Sequence, residues 1–310
     1  MIIWGLLYGM RVSIPVALAF CCYILKTEST GTNTTPKSVG FFQQATRGLA
    51  SLNDRVLMEN AERLGAMEKE LIGQKLGKVE KLVKIPLKAV ASKPAGVKNL
   101  LLRDGVVCIS NVLSSSLADI VFPLVREVEE TAVVDIEAGS ADVNDRFGKV
   151  NNRRKRADLF LPYDNPMIQT ALREAVSNLK PLLLLLDDME GNGVLHELSS
   201  IVSDGGSPRQ CLHCDTPYLD GVKPLYTFFV ALQDVDDDMG HTTFLPGTMT
   251  SEVHGIFNSG EKQKNNLIAM SPAFRSNLKK GDVAIFDSRL LHCGGANESD
   301  DKRRILFYFT

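Results

Sequence analysis

Hydrophobic and polar positions along the chain separate a helical part from a later part dominated by strands. The pattern predicts helices at Val97–Arg103, Asn111–Glu130 and Pro166–Leu186, and a short buried strand at Val106–Ile109. Beyond Asn192, turn residues separate apolar runs that predict strands at Leu195–Ser203, Gln210–Asp215, Leu225–Gln233, His241–Leu245, Asn266–Met270, Asp282–Asp287, Arg289–His292 and Arg303–Phe309. This order predicts an α+β domain at 97–310: a double-stranded β-helix (jelly roll) with flanking helices.

Residues 1–25 form a hydrophobic leader that is interrupted only by Arg11 and Pro15. As one helix the leader could span a bilayer, which takes about 20 residues, although Arg11 would be costly near its middle. Split at Arg11, it is typical of a signal peptide with a cleavage site at Ala17-Leu18-Ala19. Either reading predicts N-terminal membrane association, as a signal anchor or a cleaved targeting segment.

Residues 26–96 are predicted to connect the leader to the folded domain. Lys26–Ala50 is rich in Thr, Ser and Gly with Glu28 as its only acid, so it resembles either the transit part of a bipartite plastid leader or a flexible stalk. From Leu52 to Lys88 the apolar residues recur at helical spacing beside a lysine-rich face. That segment predicts a solvated helical linker or a membrane-surface helix, in a protein anchored in the endomembrane system or imported into an organelle.

Charge and cysteine usage exclude several classes of protein. The formal net charge of −2 gives no reason to expect a nucleic-acid partner. The six cysteines do not form a disulfide framework, and Cys211-x-x-Cys214 has no second pair with which to bind zinc. We therefore expect buried free thiols.

A His-x-Asp pair, His213 and Asp215, and the distant His292 form the strongest chemical pattern in the chain. On a strand the side chains of His213 and Asp215 point to one face, while Cys214 points to the other. Two histidines and one carboxylate are the ligand set of a mononuclear non-haem iron(II) site with open coordination positions. The other histidines lack such a context and are expected to be structural or exposed.

An arginine close to the second histidine suits a dicarboxylate co-substrate. Arg303 lies on the strand face that also carries Ile305, Phe307 and Phe309, which is the more apolar face. We predict that this face points into the barrel, where a buried guanidinium needs a carboxylate partner such as that of 2-oxoglutarate. Arg304 would then face outward, and a slip of one residue would exchange the two roles.

Several segments resemble the phytanoyl-CoA dioxygenase family of iron(II)- and 2-oxoglutarate-dependent oxygenases. They are Asp104–Val107, Asn111–Ser114, Gln210–Asp215, Asp238–Thr248, Lys280–Asp282, His292–Asn297 and Arg303. The resemblance covers about 97–310 and implies that His213, Asp215 and His292 bind iron and that Arg303 binds 2-oxoglutarate. Two positions depart from the family pattern: Met249 stands where members often have His, and Gly294 where many have Ser.

The resemblance also implies the chemistry. The cofactors would be Fe(2+), 2-oxoglutarate and O2, with ascorbate as an optional reductant. The reaction would decarboxylate 2-oxoglutarate to succinate and carbon dioxide and hydroxylate a C–H bond. Related halogenases lack the carboxylate ligand, so Asp215 argues against halogenation.

The substrate is not specified by the sequence beyond a small-molecule or lipid-like compound. The basic cluster Arg153, Arg154, Lys155 and Arg156 would either meet an anionic substrate at the barrel mouth or form a solvated loop. Tyr218 and Asp220 follow the metal motif closely. From this position alone we expect them at the entrance to the site. Two alternatives stay open: a non-redox cupin-like isomerase, which would not need Arg303, and a catalytically silent jelly-roll binding module.

Overall fold

The computed structural model describes residues 79–150, 154–187 and 193–310. Every described residue belongs to one compact unit. The predicted leader and most of the predicted stalk and linker lie outside the described residues, so membrane association and targeting stay predictions. Within the described residues, no helix combines the length and the apolar character needed to cross a membrane.

The described residues form helices and strands that largely follow the predicted order. The helices are α1 (Leu87–Ser92), α2 (Pro94–Asp104), α3 (Ser115–Glu137), α4 (Val143–Arg146), α5 (Pro166–Leu186), α6 (Ser251–Asn258) and α7 (Glu261–Met270). The strands are β1 (Glu80–Lys81), β2 (Lys84–Pro86), β3 (Val106–Ser110), β4 (Arg156–Phe160), β5 (Leu198–Ser203), β6 (Tyr226–Ala231), β7 (Thr242–Phe244), β8 (Phe274–Arg275), β9 (Val283–Asp287), β10 (His292–Gly294) and β11 (Arg304–Phe309). A short 3₁₀ helix covers Asp237–Met239.

Two sheets carry the architecture. In the described residues, the larger sheet has the order β2-β3-β9-β6-β11-β5-β4, and the smaller has the order β1-β8-β7-β10. Neighbouring strands run antiparallel except for the pairs β2/β3 and β1/β8. Phe286 of the larger sheet and Phe244 of the smaller meet with ring centroids 5.2 Å apart, so the sheets pack face to face. This mixed architecture of large sheets and helices agrees with the predicted fold class.

The two faces of the larger sheet differ in character. One face joins α2, α3 and α5 in the main apolar core, which includes Val107, Ile109, Val202, Val230, Ile285, Ile305 and Phe307. The opposite face meets the smaller sheet through a second cluster that includes Val106, Cys108, Ala284, Phe286 and Leu306. We call this second face the inner face. Because side chains alternate along a strand, the inner face of β11 carries Arg304, Leu306 and Tyr308.

The folded body begins earlier than the predicted boundary at residue 97. Strand β2 pairs with β3, and Val90 of α1 is fully buried in the main core. Helix α2 opens at Pro94, so the predicted boundary falls inside this helix. The sequence between Lys84 and Ser92 therefore belongs to the domain rather than to a linker.

Three strand predictions are wrong. Asn266–Met270 is the last part of helix α7 rather than a strand. Gln210–Asp215 is not a continuous strand, because only His213 forms a bridge, and the strand predicted at Arg289–His292 lies instead at His292–Gly294. Short apolar runs do not distinguish a strand from a helical turn, and this ambiguity explains the error at α7.

Candidate metal centre

The backbone brings the predicted ligands together across the rim of the smaller sheet. His213 lies in the connection between β5 and β6 and forms an isolated antiparallel bridge with His292 at the start of β10. The amide of each histidine donates to the carbonyl of the other, at 3.0 and 2.8 Å. Asp215 follows two residues later and is held by a hydrogen bond from its amide to the carbonyl of Ser288, at 2.8 Å.

The side chains of these three residues converge. Asp215 Oδ1 lies 3.7 Å from His213 Nε2 and 3.6 Å from His292 Nε2, and one donor atom from each residue lies within 4.8 Å of the other two. These separations leave room for a metal ion about 2 Å from each donor. The described residues thus contain the three-residue group that the sequence predicted.

Hydrogen bonds fix both imidazole rings for metal binding. His213 Nδ1 lies 2.8 Å from the carbonyl oxygen of Cys211, and His292 Nδ1 lies 2.9 Å from that of Leu290. A carbonyl only accepts, so each Nδ1 must carry the proton, and each Nε2 presents its lone pair to the metal position. Burial, and next the neighbouring His292, lower the pKa of His213 to about 4, which keeps this ring neutral at pH 7.

The site is open on one side. The side chain of Asp215 is 38% exposed, whereas that of His292 is 4% exposed. A metal held by these residues would therefore face solvent beside the carboxylate and protein beside His292. This arrangement leaves coordination positions free for small ligands, as an oxygenase site requires.

The prediction that Arg303 points into the barrel is wrong. Arg303 lies on the helix side of β11, where its Nη1 donates to Glu129 Oε2 at 2.6 Å and its Nε to Asp204 Oδ1 at 2.5 Å. The more apolar face of β11 contacts the helices, and the more polar face lines the interior. The apolar character of a strand face therefore does not identify the inward arginine here.

Arg304 is the arginine on the inner face. It is 2% exposed, and its Nη2 donates to Ser203 Oγ at 3.1 Å, whereas Nε and Nη1 have no hydrogen-bond partner in the described residues. A Cβ added at Gly294, two residues after His292, would lie 3.5 Å from Arg304 Nη2. The guanidinium is thus next to β10, the strand that begins with His292, and two of its nitrogens remain available to an anion.

Gly294, one of the two departures from the family pattern, is explained by its neighbour Gln210. Gln210 Oε1 accepts a hydrogen bond from the amide of Gly294 at 2.8 Å. A Cβ at Gly294 would lie 2.5 Å from the same oxygen, so a serine would require Gln210 to move. Met249, the other departure, packs at the edge of the inner apolar cluster.

Cys214 is not part of the metal site. It packs against an apolar cluster that includes Leu212, Leu245 and Cys293, on the side away from the ligands. Burial raises the pKa of its thiol to about 11, so a thiolate ligand is disfavoured. The four cysteines among the described residues are free thiols.

The other histidines have structural contacts, or none that concern a metal. His254 Nε2 donates to the carbonyl of Arg289 at 2.7 Å, which leaves Nδ1 to accept from the amide of Tyr218 at 3.2 Å. His241 pairs with Asp237 at 3.0 Å, and His196 is exposed. Tyr218 is half-buried, with the Arg289 guanidinium 5.2 Å from its ring centroid, and Asp220, the other residue expected at the entrance, is exposed.

A buried acidic cluster on the inner face was not found from the sequence. Tyr308 Oη lies 2.8 Å from both Asp158 Oδ1 and Glu197 Oε1. Burial, and next Glu197, raise the pKa of Asp158 to about 7. A phenol has one proton to donate, so one of the two carboxyl groups must hold a proton of its own. The alternation of polar and apolar residues in Arg156–Phe160 was the available signal for β4, which brings Asp158 here.

Arg156 does not belong to a solvated basic loop. It is 5% exposed and lies on the inner face of β4, whereas Arg154 and Lys155 are exposed. Arg153 lies outside the described residues. The expectation that the whole cluster meets solvent or an anionic substrate is therefore wrong for Arg156.

Comparisons with known proteins identify the family and the fold. The sequence profile of the family described as phytanoyl-CoA dioxygenase (PhyH) matches residues 101–305. The dioxygenase sphC of Aspergillus fumigatus is 27% identical over 128 residues, which are 39% of this chain, and the match spans about a third (32%) of the fungal protein.

Solved structures show a similar fold. The non-heme alpha ketoglutarate dependent carbocyclase SnoK from nogalamycin biosynthesis is 17% identical, with a TM-score of 0.50, over 69% of this chain and 81% of SnoK. The epimerase SnoN from the same biosynthesis is 20% identical, with a TM-score of 0.48, over 71% of this chain and 82% of SnoN. At this identity the likeness to SnoK concerns the fold alone.

Proposed function

Because this chain belongs to the phytanoyl-CoA dioxygenase family, we propose that it is an iron(II)- and 2-oxoglutarate-dependent dioxygenase with a jelly-roll body. Its reaction would hydroxylate a C–H bond of an organic substrate and release succinate and carbon dioxide. The observation that carries this proposal is one juxtaposition. Two imidazoles and a carboxylate converge on a metal position, and the buried Arg304 guanidinium beside the same strand has two nitrogens without a partner.

The donor set fits iron, and the arginine fits the co-substrate. His213, His292 and Asp215 supply the two neutral nitrogens and the carboxylate of a facial triad. Arg304 takes the role that was predicted for Arg303, because a buried guanidinium is the natural partner of the distal carboxylate of 2-oxoglutarate. When bound, iron, 2-oxoglutarate and oxygen together supply the oxidising power for breaking the C–H bond.

The chain's own residues hold and orient the reactants. The carbonyls of Cys211 and Leu290 fix the ring planes of the two histidines, so that a metal meets preformed ligands. Asp215 supplies the carboxylate that related halogenases lack, which favours hydroxylation. The apolar inner cluster with Phe244 and Phe286 shields the side of the site next to His292, where the two rings have centroids 6.0 and 4.8 Å from the imidazole.

The inner face of β11 suggests how two ligands would share the interior. Arg304 stands at one end and Tyr308 at the other, roughly 13 Å apart at the rise of an extended strand. With 2-oxoglutarate bound toward Arg304, the end with Tyr308 is left for the substrate. A small-molecule or lipid-like substrate would then place a polar group near the Tyr308 cluster and its reacting carbon near Asp215, on the exposed side.

The direct test is turnover of labelled 2-oxoglutarate by the full chain with iron(II) and ascorbate. We expect slow release of labelled carbon dioxide without added substrate, and loss of this release in His213→Ala and Asp215→Ala. Cys214→Ala is the matched control, because Cys214 lies between the ligands but faces away from the metal. Wild-type protein that bound neither metal nor 2-oxoglutarate would refute the proposal.

The same experiment separates the alternatives. A non-redox cupin-like isomerase would bind a metal through the same triad but would not bind 2-oxoglutarate. A silent binding module would bind neither. Arg304 with its two unpartnered nitrogens favours the oxygenase over both, since a buried charge without a counter-ion is costly unless a ligand supplies one.

A further inference from the structure

A second buried arginine lies beside Arg304. Arg156, at the start of β4, shares the inner face with Arg304 because both pair with Ser203 of the intervening strand β5. Its side chain is nearly as buried as that of Arg304, at 5% and 2% exposure. Two guanidinium groups therefore stand next to each other inside the domain.

All three guanidinium nitrogens of Arg156 are bonded to neutral oxygens. Nε donates to Ser203 Oγ at 2.9 Å, Nη1 to the carbonyl of Pro208 at 3.0 Å and Nη2 to the carbonyl of Gly295 at 3.0 Å. One side chain thus joins β4 and β5 to two further segments. The first leads from Pro208 into His213, and the second leaves β10 after His292.

Ser203 couples the two arginines. Its hydroxyl oxygen accepts from Arg156 Nε and also from Arg304 Nη2 at 3.1 Å, so both lone pairs are used. The Arg304 guanidinium has no other hydrogen-bond partner in the described part of the chain. The position of its guanidinium is therefore set through Ser203, and Ser203 is set by Arg156.

We propose that Arg156 is a positioning residue for the anionic co-substrate: it holds Ser203 and, through it, aims the Arg304 guanidinium, while its own charge favours an anion. This inference rests on the proposed function. It assigns a role to a residue that contacts neither metal nor co-substrate. Among the described residues Arg156 has no carboxylate partner, so its charge adds to the positive potential felt by a dianion.

The charge state supports this role. Burial lowers the pKa of Arg156 to about 10, and burial, followed by Arg156 itself, lowers that of Arg304 to about 9. Both groups remain protonated near neutral pH. A dicarboxylate entering the pocket would relieve their mutual repulsion.

The metal ligands do not depend on Arg156 in the same way. His213 and His292 are oriented by the carbonyls of Cys211 and Leu290, whereas Arg156 donates to the carbonyls of Pro208 and Gly295. Loss of the three hydrogen bonds of the Arg156 guanidinium should therefore weaken the binding of 2-oxoglutarate more than the binding of metal. A purely structural role would lower both affinities together, or neither.

The test compares the full-length wild type with Arg156→Lys, Arg156→Met and Ser203→Ala. Affinity for Mn²⁺ alone is measured first, and affinity for 2-oxoglutarate is then measured on the Mn²⁺-loaded protein by calorimetry. We expect the dissociation constant of 2-oxoglutarate to rise roughly 10- to 100-fold in both Arg156 variants, with the Mn²⁺ affinity unchanged. Lysine should not rescue, because one ammonium cannot reproduce a planar fork with three partners.

The controls make each outcome decisive. Arg126→Lys and Arg126→Met change an exposed arginine on α3 and should leave both affinities at the wild-type value. If the Arg156 variants do not fold, Ser203→Ala decides, and it should weaken 2-oxoglutarate binding in the same direction. Unchanged binding, or a parallel loss of Mn²⁺ affinity, overturns the positioning role. Wild-type protein that binds Mn²⁺ but no 2-oxoglutarate refutes the proposed function itself.

Discussion

Replacing Arg304 by methionine should move stability and co-substrate binding in opposite directions. The guanidinium is buried with Nε and Nη1 unpartnered in the described residues, so the unliganded fold carries an uncompensated charge. Methionine has a similar length and no charge. The variant Arg304→Met should therefore unfold at a higher temperature than the wild type and respond much less to 2-oxoglutarate.

The expected magnitudes follow from burial. Exchanging a buried charge for a packed apolar side chain stabilises a protein by about 1–4 kcal/mol. In a unit of this size each kcal/mol raises the unfolding temperature by about 2–4 °C. Breaking the ion pair between Arg304 and a bound carboxylate costs about 3–5 kcal/mol, which weakens binding by between about 100- and 4000-fold.

Thermal unfolding of the Mn²⁺-loaded full chain, with and without 2-oxoglutarate, measures both effects. At about 100 times its dissociation constant, the co-substrate should stabilise the wild type by about 2.7 kcal/mol. Arg304→Met should start from a higher midpoint, and the same concentration should stabilise it by at most about 0.4 kcal/mol. Manganese prevents turnover, so the midpoints report binding alone.

Arg303→Met is the matched control, one residue away on the opposite face. It removes the ion pairs to Glu129 and Asp204, so the unliganded protein should become less stable. Its shift with 2-oxoglutarate should equal that of the wild type. The reverse pattern, with the shift lost in Arg303→Met and kept in Arg304→Met, would show that the co-substrate binds on the helix side of β11.

Three further predictions concern single residues. Burial raises the pKa of Asp158 to about 7. The folded protein therefore keeps a proton that the unfolded chain releases above about pH 4. The free energy of unfolding should then fall as the pH rises from about 4 to about 7. Asp158→Asn should flatten that fall in urea unfolding at about pH 5 and about pH 8, and an unchanged slope would contradict the assignment. Cys214→Ala should bind Mn²⁺ as the wild type does, whereas Asp215→Ala should lose more than about tenfold in affinity by calorimetry. Gly281→Ala should destabilise the fold by about 1–3 kcal/mol in chemical denaturation. The reason is that Gly281 has φ +84° and that a Cβ there would lie 2.1 Å from the carbonyl oxygen of Leu113. Equal stability of variant and wild type would refute this.

The convergence of His213, Asp215 and His292 was predictable because the signal is local and chemical. A histidine and an aspartate two residues apart tend to share a face, and this tendency survives even though only His213 pairs with a neighbouring strand. The helix at Pro166–Leu186 was also predictable, since its apolar period extends over several turns. A long periodic pattern or a chemically specific motif is thus sufficient to predict the local structure.

The choice between Arg303 and Arg304 could not be made from the same kind of pattern. Both faces of β11 are buried, so burial alone does not say which face meets the helices. The acidic cluster around Tyr308 was missed for a related reason. Its members come from β4, β11 and the residue just before β5, and only the sheet order brings them together.

The bridge between His213 and His292 has a consequence beyond the reaction. The two residues lie about 80 positions apart in the chain, and an ion bound to both closes that loop as a removable cross-link, comparable to a disulfide in its effect on the unfolded chain. Loss of the ion would loosen the two facing amides first, as faster hydrogen exchange at both positions. Under the proposed function, cellular iron supply would then govern how long the folded chain resists proteolysis as well as how fast it turns over substrate.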